Sequence, residues 1–312
     1  MSYLENYEKN GYSFGAKVLK DNEILDLRNK LDEIFLAKGN PKELNLFEID
    51  DQETTKLIYN IYTTQNFKNL ILNLSDFYCQ KISLIPHFII QRNYHVDRKS
   101  TPGIGWHRDC GGELAQNYSK NKLTDKNYVF GKIGIYLQQN SDYGGSIDLI
   151  PKSHIPIKSY NSFFKKIYSF NLFLLMKIQK YFSGLYLFFS ERKVMKILKA
   201  KRLFPDPGTI VFWDSRTIHR GTPIEDKLRN KIKFNSKNYH AEVPKEFTKF
   251  SLYVDFGTNF AFDSYMHDRN NRVSKQKEIE ILKKNLQHMR NFSPAFSQQV
   301  EKNIEPVLNK YN

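Results

Sequence analysis

The strongest constraint on how this chain folds is a pair of ligand-type side chains that needs a partner from far downstream. Within Gly103-Ile104-Gly105-Trp106-His107-Arg108-Asp109-Cys110-Gly111-Gly112, an imidazole and a carboxylate stand two residues apart between glycines. Residues i and i+2 of an extended segment point to one face, so His107 and Asp109 can address one ion together. A strand-like run over residues 208–214 then leads to a lone His219, set before Gly221 and Pro223. Convergence of the three would bring segments more than a hundred residues apart into contact. Two histidines and one carboxylate on one side of a metal, with open positions opposite, are the donor set of non-heme Fe(II) centres. The bland readings are a surface pair for His107 and Asp109 and a hydrogen-bonded loop histidine for His219. His95-Val96-Asp97 repeats the spacing, but Arg92, Arg98 and Lys99 crowd it with positive charge.

The surrounding sequence supplies the frame. Short β-rich segments at 87–94, 131–138, 144–154, 208–219 and 250–256 alternate with Gly, Pro, Asn and Asp turns. They predict a mainly β fold with helical cover, most simply a jelly roll. Helices are expected on both sides. Over 21–38, Ile24, Leu27, Leu31 and Ile34 recur at helical spacing, with Asp21 as cap and Gly39 as stop. Over 66–82, Phe67, Leu70, Leu74 and Phe77 form one stripe. Ser274 can cap a helix over 275–289, and Pro294 opens another in a tolerated first-turn position. One domain over 1–312 is expected: helical cover over 1–86, the β core over 87–260 and terminal helices over 261–312.

Charge is unevenly placed. The chain carries a net +15. From Lys158 to Arg202 there are eleven basic residues against Glu191 alone, a net of +10 in one insertion-like block. On a helical wheel over 162–183, Lys165, Lys166, Lys177 and Lys180 fall within about 120° of arc, and Phe163, Phe164, Ile167, Leu174, Ile178 and Phe182 fill the rest. Val194, Met195, Ile197 and Leu198 repeat the pattern against Arg192, Lys193, Lys196 and Lys199. Such helices serve either as packed cover with a solvated basic face or as contacts to an anionic membrane through residues 161–200. Nucleic acid is not an expected partner, because the aromatics sit on the apolar face and not among the basic residues. Two cysteines, Cys79 and Cys110, make no disulfide framework and suit a reducing compartment. No secretory leader is expected, so the predicted location is cytoplasmic, with the inner membrane face as a peripheral alternative.

Taken together, Trp106-His107-Arg108-Asp109, residues 144–154, residues 207–214 and His219-Arg220-Gly221-Thr222-Pro223 resemble the phytanoyl-CoA dioxygenase family. The similarity covers roughly 5–158 and 203–260, including the Asn10-Gly11-Tyr12 opening. It implies a double-stranded β-helix (cupin-like), Fe(II) and 2-oxoglutarate, with O2 as the second cosubstrate. His107, Asp109 and His219 match the family's metal and catalytic positions. The family grips the far carboxylate of 2-oxoglutarate with an Arg about ten residues after the distal His. Arg229 has that spacing, but Lys249 with Ser251 has the strand and the i+2 serine, and Lys249, Ser251, Tyr253 and Asp255 share one face. Gln91 and Tyr136 are further candidate cosubstrate contacts, and Trp106 and Gln138 candidate pocket liners, core packing being the plain alternative for each. Asp109 fills the position that halogenating relatives leave to halide, so the implied reaction is hydroxylation or another C–H oxidation. The implied substrate is an unidentified small molecule or a lipid- or saccharide-linked one, suited to be anionic. The rivals are a jelly-roll protein that binds metal without turnover and a peripheral membrane or assembly protein.

Overall fold

Local capping chemistry sets the first elements of the structure, a computed structural model that describes residues 2–93, 95–97, 105–109, 127–155, 191–229, 240–269 and 275–310. Ser2 and Glu5 form a reciprocal capping box on α1 (Tyr3–Asn10), and Gly11 ends it with φ +81°. β1 (Tyr12–Lys17) follows, then α2 (Asp21–Ala37). Asp21 is the first helical residue and not the cap; the Glu23 carboxylate takes the Lys20 N–H at 2.7 Å. After β2 (Glu43–Asn45) comes α3 (Gln52–Thr63), capped by Asp51, and then α4 (Gln65–Tyr78), capped by Thr64. α4 stops short of the expected residue 82 because Cys79 turns left-handed at φ +50° and Ile82 already leads into the next strand.

The strands that follow are β3 (Ser83–Asn93), β4 (His95–Asp97), β5 (Phe130–Tyr136) and β6 (Ile147–Leu149). Of the strand expected over 144–154, the three residues of β6 form a ladder and Gly144 makes an isolated bridge with Ser141; Pro151 onward is a turn, with Lys152 at φ +66°. α5 (Glu191–Ile197), β7 (Lys201–Arg202), β8 (Thr209–Asp214) and β9 (His219–Gly221) come next. The chain then adds α6 (Asp226–Arg229), β10 (His240–Glu242), β11 (Lys249–Gly257), α7 (Asn259–Arg269), α8 (Lys275–Phe292) and α9 (Pro294–Lys310). The helix expected over 162–183, and Cys110, lie outside the described residues.

Six strands form one antiparallel sheet in the order β1-β8-β5-β11-β3-β2. A three-stranded sheet, β7-β6-β9, and a β4–β10 pair complete the described strands. The six-stranded sheet is two-faced. One face, with Phe88, Ile90, Ile133, Ile135, Ile210, Phe212, Phe250, Leu252, Val254 and Phe256, merges with Leu27, Leu31 and Phe35 of α2, Ile58 and Tyr59 of α3, Leu70 and Leu74 of α4 and the C-terminal helices. The other face meets the three-stranded sheet. There Tyr136, Val211, Trp213 and Tyr253 from the large sheet pack with Ile147 and Leu149 from the small one. Gly134 makes room for this layer: a Cβ there would stand 3.0 Å from the Tyr253 ring and 3.1 Å from the Trp213 indole. No helix among the described residues is long and apolar enough to cross a membrane.

Candidate metal centre

The site is assembled by one short stretch of backbone laid against β9. His107 and His219 exchange both N–H···O=C bonds, each 2.9 Å, as a hydrogen-bonded antiparallel pair. Side chains of such a pair stand on one face, and the two imidazole centroids are 4.4 Å apart. Two residues on, the Asp109 N–H bonds the Ser215 carbonyl at 2.9 Å and returns the carboxylate to the same face. His107 Nε2 then lies 3.8 Å from Asp109 Oδ1, and His219 Nε2 3.4 Å from Asp109 Oδ2. One ligand atom from each of the three lies within 4.8 Å of the others. His219, 110 residues downstream of Asp109, is thus brought to one point with the His107 and Asp109 pair.

The alternate residues hold that stretch in place. Trp106 points the other way, into a buried cluster with Ile150, Val194, Leu198 and Ile218, under the Arg220 guanidinium at 4.4 Å. Arg108 donates to the Arg216 carbonyl at 2.6 Å and the Ser153 carbonyl at 3.0 Å. Gly105 sits at φ +87°, a conformation costly for any side chain, and its carbonyl accepts from His107 Nδ1 at 2.7 Å. His219 Nδ1 donates to the Thr217 carbonyl at 2.9 Å. A carbonyl can only accept, so each Nδ1 carries the proton and each Nε2 presents a lone pair to the centre.

Exposure separates the two histidines. The His107 side chain is 50% exposed and forms the rim, whereas that of His219 is 6% exposed and lies against Trp213, tilted by 57° at 5.4 Å between centroids. Burial pulls the His219 pKa down to about 4, against the opposing pull of Asp109. It is therefore neutral and able to ligate at neutral pH. Burial alone would raise the Asp109 pKa. Lys132, His219, His107 and the Trp213 N–H outweigh it and hold the carboxyl well below its usual range. Lys132 Nζ is 3.6 Å, and Trp213 Nε1 3.3 Å, from Asp109 Oδ2. Behind Lys132, Asp255 Oδ1 lies at 3.8 Å, and Asp255 Oδ2 takes His87 Nδ1 at 3.0 Å. A charged chain thus supports the carboxylate from beneath. The donor set, the fixed tautomers and the ionised carboxylate fit a divalent metal with imidazole and carboxylate ligands.

Beside this point, Lys249 is 9% exposed, and no described carboxylate pairs with it. Its ammonium lies 5.3 Å from the Tyr136 ring centroid and 3.8 Å from where a Cβ on Gly221 would stand, so it sits next to β9, two residues past His219. The Ser251 hydroxyl is wholly buried and forms no well-aligned hydrogen bond, although it lies beside the Tyr253 hydroxyl. Burial would raise the Tyr253 phenol; Lys249, Ser251 and Tyr136 more than offset this and bring it below its ordinary value.

Other sequence candidates fall elsewhere. Gln91 faces Ser251 across the strands and donates to Glu43 at 3.2 Å. Gln138 is structural: it accepts from the Phe250 N–H at 2.7 Å and from Arg28 at 3.1 Å. Trp106 is core and not pocket lining. Arg229 closes α6, and its side chain lies outside the described residues, as do residues 230–239. β10 pairs with β4, which carries the second His-x-Asp sequence. Lys132, Trp213 and Asp255 all lie in segments legible as strands, yet the register Asp255↔Lys132↔Trp213 that joins them is a long-range property.

No protein-family model and no curated relative matches the chain. Among solved structures, it is similar to AviO1 from Streptomyces viridochromogenes Tue57, with 12% identity, 82% of this chain and 93% of that one covered, and a TM-score of 0.46. It is also similar to HygX from Streptomyces hygroscopicus with nickel and 2-oxoglutarate bound, with 13% identity, coverage of 82% and 85%, and a TM-score of 0.47. A third is EvdO2 from Micromonospora carbonacea var. aurantiaca complexed with 2-oxoglutarate, with 13% identity, coverage of 81% and 89%, and a TM-score of 0.42.

Proposed function

We propose that the chain is an Fe(II)/2-oxoglutarate-dependent oxygenase on a double-stranded β-helix, as its resemblance to the phytanoyl-CoA dioxygenase family implies. The observation that carries this reading is the convergence of His107 Nε2, the Asp109 carboxylate and His219 Nε2 within 4.8 Å of one another, with both Nδ1 positions tied to carbonyls. His107, Asp109 and His219 hold the metal, and Trp213 and Lys132 orient the carboxylate. Lys249 and Ser251 receive the far carboxylate of the cosubstrate: an ammonium with no described carboxylate partner and a buried hydroxyl without a formed bond are what such an anion satisfies. Tyr136 and Tyr253 wall that position and keep it dry. A lysine grips as a point charge, less directional than an arginine fork.

When bound, ferrous iron with 2-oxoglutarate and O2 supplies an oxidant able to break a substrate C–H bond, with succinate and CO2 as coproducts. Asp109 occupies a coordination position, which favours hydroxylation over halide transfer. The substrate is a small molecule or a lipid- or saccharide-linked one. The test is Fe(II)-dependent succinate formation from 2-oxoglutarate, measured beside the protein's iron content. Iron bound without succinate, across a panel of candidate substrates, would leave the metal-binding protein without turnover as the reading.

A further inference from the structure

The basic segment that the metal site does not use is fastened directly to it. α5 turns Val194 and Leu198 into the cluster with Trp106, Ile150 and Ile218, and Arg220 Nη2 lies 3.7 Å from Met195 Sδ. Trp106 and Ile218 immediately precede His107 and His219, so α5 is seated on the backbone that carries both histidines. Arg202 turns inward to Asp148 and Glu225, and the other cations of the segment face out. Arg192, Lys193, Lys196, Lys199 and Lys201 are exposed. So are Ile197, at 51%, and Phe204, at 71%, although Leu203 and Pro205 on either side of Phe204 are buried. Ile197 belongs to the apolar pattern in sequence, yet packing leaves it outside. The acids of this stretch, Glu191 and Asp206, stand at its two ends. Residues 156–190, which lead directly into it, contribute Lys158, Lys165, Lys166, Lys177 and Lys180 in sequence and no acid.

We propose that the face carried by residues 191–204 docks on an anionic phospholipid surface, with Ile197 and Phe204 entering the headgroup layer and the cations attracted to the lipid charge. Clustered lysines and arginines are drawn to an anionic leaflet, each adding to the attraction, and exposed apolar side chains convert that attraction into insertion. Nucleic acid fits less well, because the exposed apolar side chains of this face offer one ring, Phe204, and not the succession of rings on which successive bases stack. Val194 and Leu198 then hold the metal-binding backbone at a set height above the lipid. The docking itself stands whether or not the oxygenase reading does.

The test is co-sedimentation of the full chain with vesicles of phosphatidylcholine alone or of phosphatidylcholine with phosphatidylglycerol. Wild type is expected to pellet with the anionic vesicles and not the neutral ones, and to be released by salt. The combined charge reversal Arg192→Glu, Lys196→Glu and Lys201→Glu lowers the bound fraction by about tenfold or more. The pair Ile197→Ser and Phe204→Ser weakens binding by about tenfold. Both variants replace exposed side chains, and unchanged thermal melting confirms their fold. Equal binding to both vesicle types, no binding at all, or binding that survives charge reversal overturns the proposal. So does retention of wild type by an RNA or DNA oligonucleotide without vesicle binding. Metal content and succinate formation, read on the same samples, report separately on the oxygenase reading.

Discussion

The two faces of β11 are built from the same nine residues and have opposite chemistry. Toward the helices it shows Phe250, Leu252, Val254 and Phe256, all at 2% exposure or less and all in one apolar cluster. Toward the small sheet it shows Lys249, Ser251, Tyr253 and Asp255, also buried, but with an ammonium lacking a described carboxylate and a hydroxyl lacking a formed bond. Burial is thus a poor guide to what a residue contributes. On the helical face it stabilises the chain; on the inner face it strengthens electrostatics at the cost of stability. Mutations on the two faces should therefore separate activity from stability. The largest expected effect is functional: Asp109→Ala should lower succinate formation by more than the roughly 100-fold that loss of a supporting hydrogen bond costs. The metal-free protein should also melt at a lower temperature, because Lys132 and the Trp213 N–H lose the ionised partner that folding favours. Succinate formation that survives in that variant would break the comparison.

The converse change lies on the helical side. Leu252 is 1% exposed, and Leu252→Ala should cost about 2–5 kcal/mol in urea unfolding while leaving iron stoichiometry unchanged in the folded protein. Loss of iron binding at unchanged stability would show that the two faces are not independent.

Much of this division was legible in the chain. The alternation over residues 249–256 follows from the two-residue period of a strand, and the convergence of His107, Asp109 and His219 was anticipated by their side-chain types together with the family resemblance. What escaped reading had a physical reason. α3 turns Thr54, Thr55, Tyr59 and Tyr62 inward with Ile58 and Ile61, so it has no simple aliphatic stripe. β2, β4, β7 and β10 are two or three residues long and exist through their partners. Lys132 reaches Asp109 through cross-strand register, which no local pattern encodes. Ile197 read as apolar face and is turned to solvent, because the α5 contact needs only Val194, Leu198 and part of Met195.

The inner face should also respond to pH. His219 has a folded pKa of about 4, against an unfolded value of roughly 6.5. Between these values the unfolded chain binds the proton and the folded one does not, so stability rises with pH across that window. Metal-free protein should lose on the order of 3 kcal/mol as pH falls from roughly 6.5 to 4, and Asp109, lowered as well, adds to the loss below its unfolded value of roughly 3.9. In His219→Gln the slope between pH 6.5 and 4 should flatten. An unchanged slope would place the titration elsewhere.

The smallest expected effect divides the comparison most finely, because function and stability should move in opposite directions. Lys249 is buried without a described carboxylate partner, so the empty site bears the cost of its charge. A bound carboxylate would relieve that cost, through a charge-assisted contact of about 1.5–3 kcal/mol. Lys249→Met, similar in volume and able to lie against Tyr136, should raise the KM for 2-oxoglutarate by roughly 10- to 150-fold, as that energy implies. The melting temperature of the empty protein should rise at the same time, because an uncompensated charge has gone. Lys249→Arg should recover much of the KM and none of the gain in stability. If Lys249→Met lowers stability and leaves KM unchanged, the ammonium is a structural element of the core and the cosubstrate is gripped from another position.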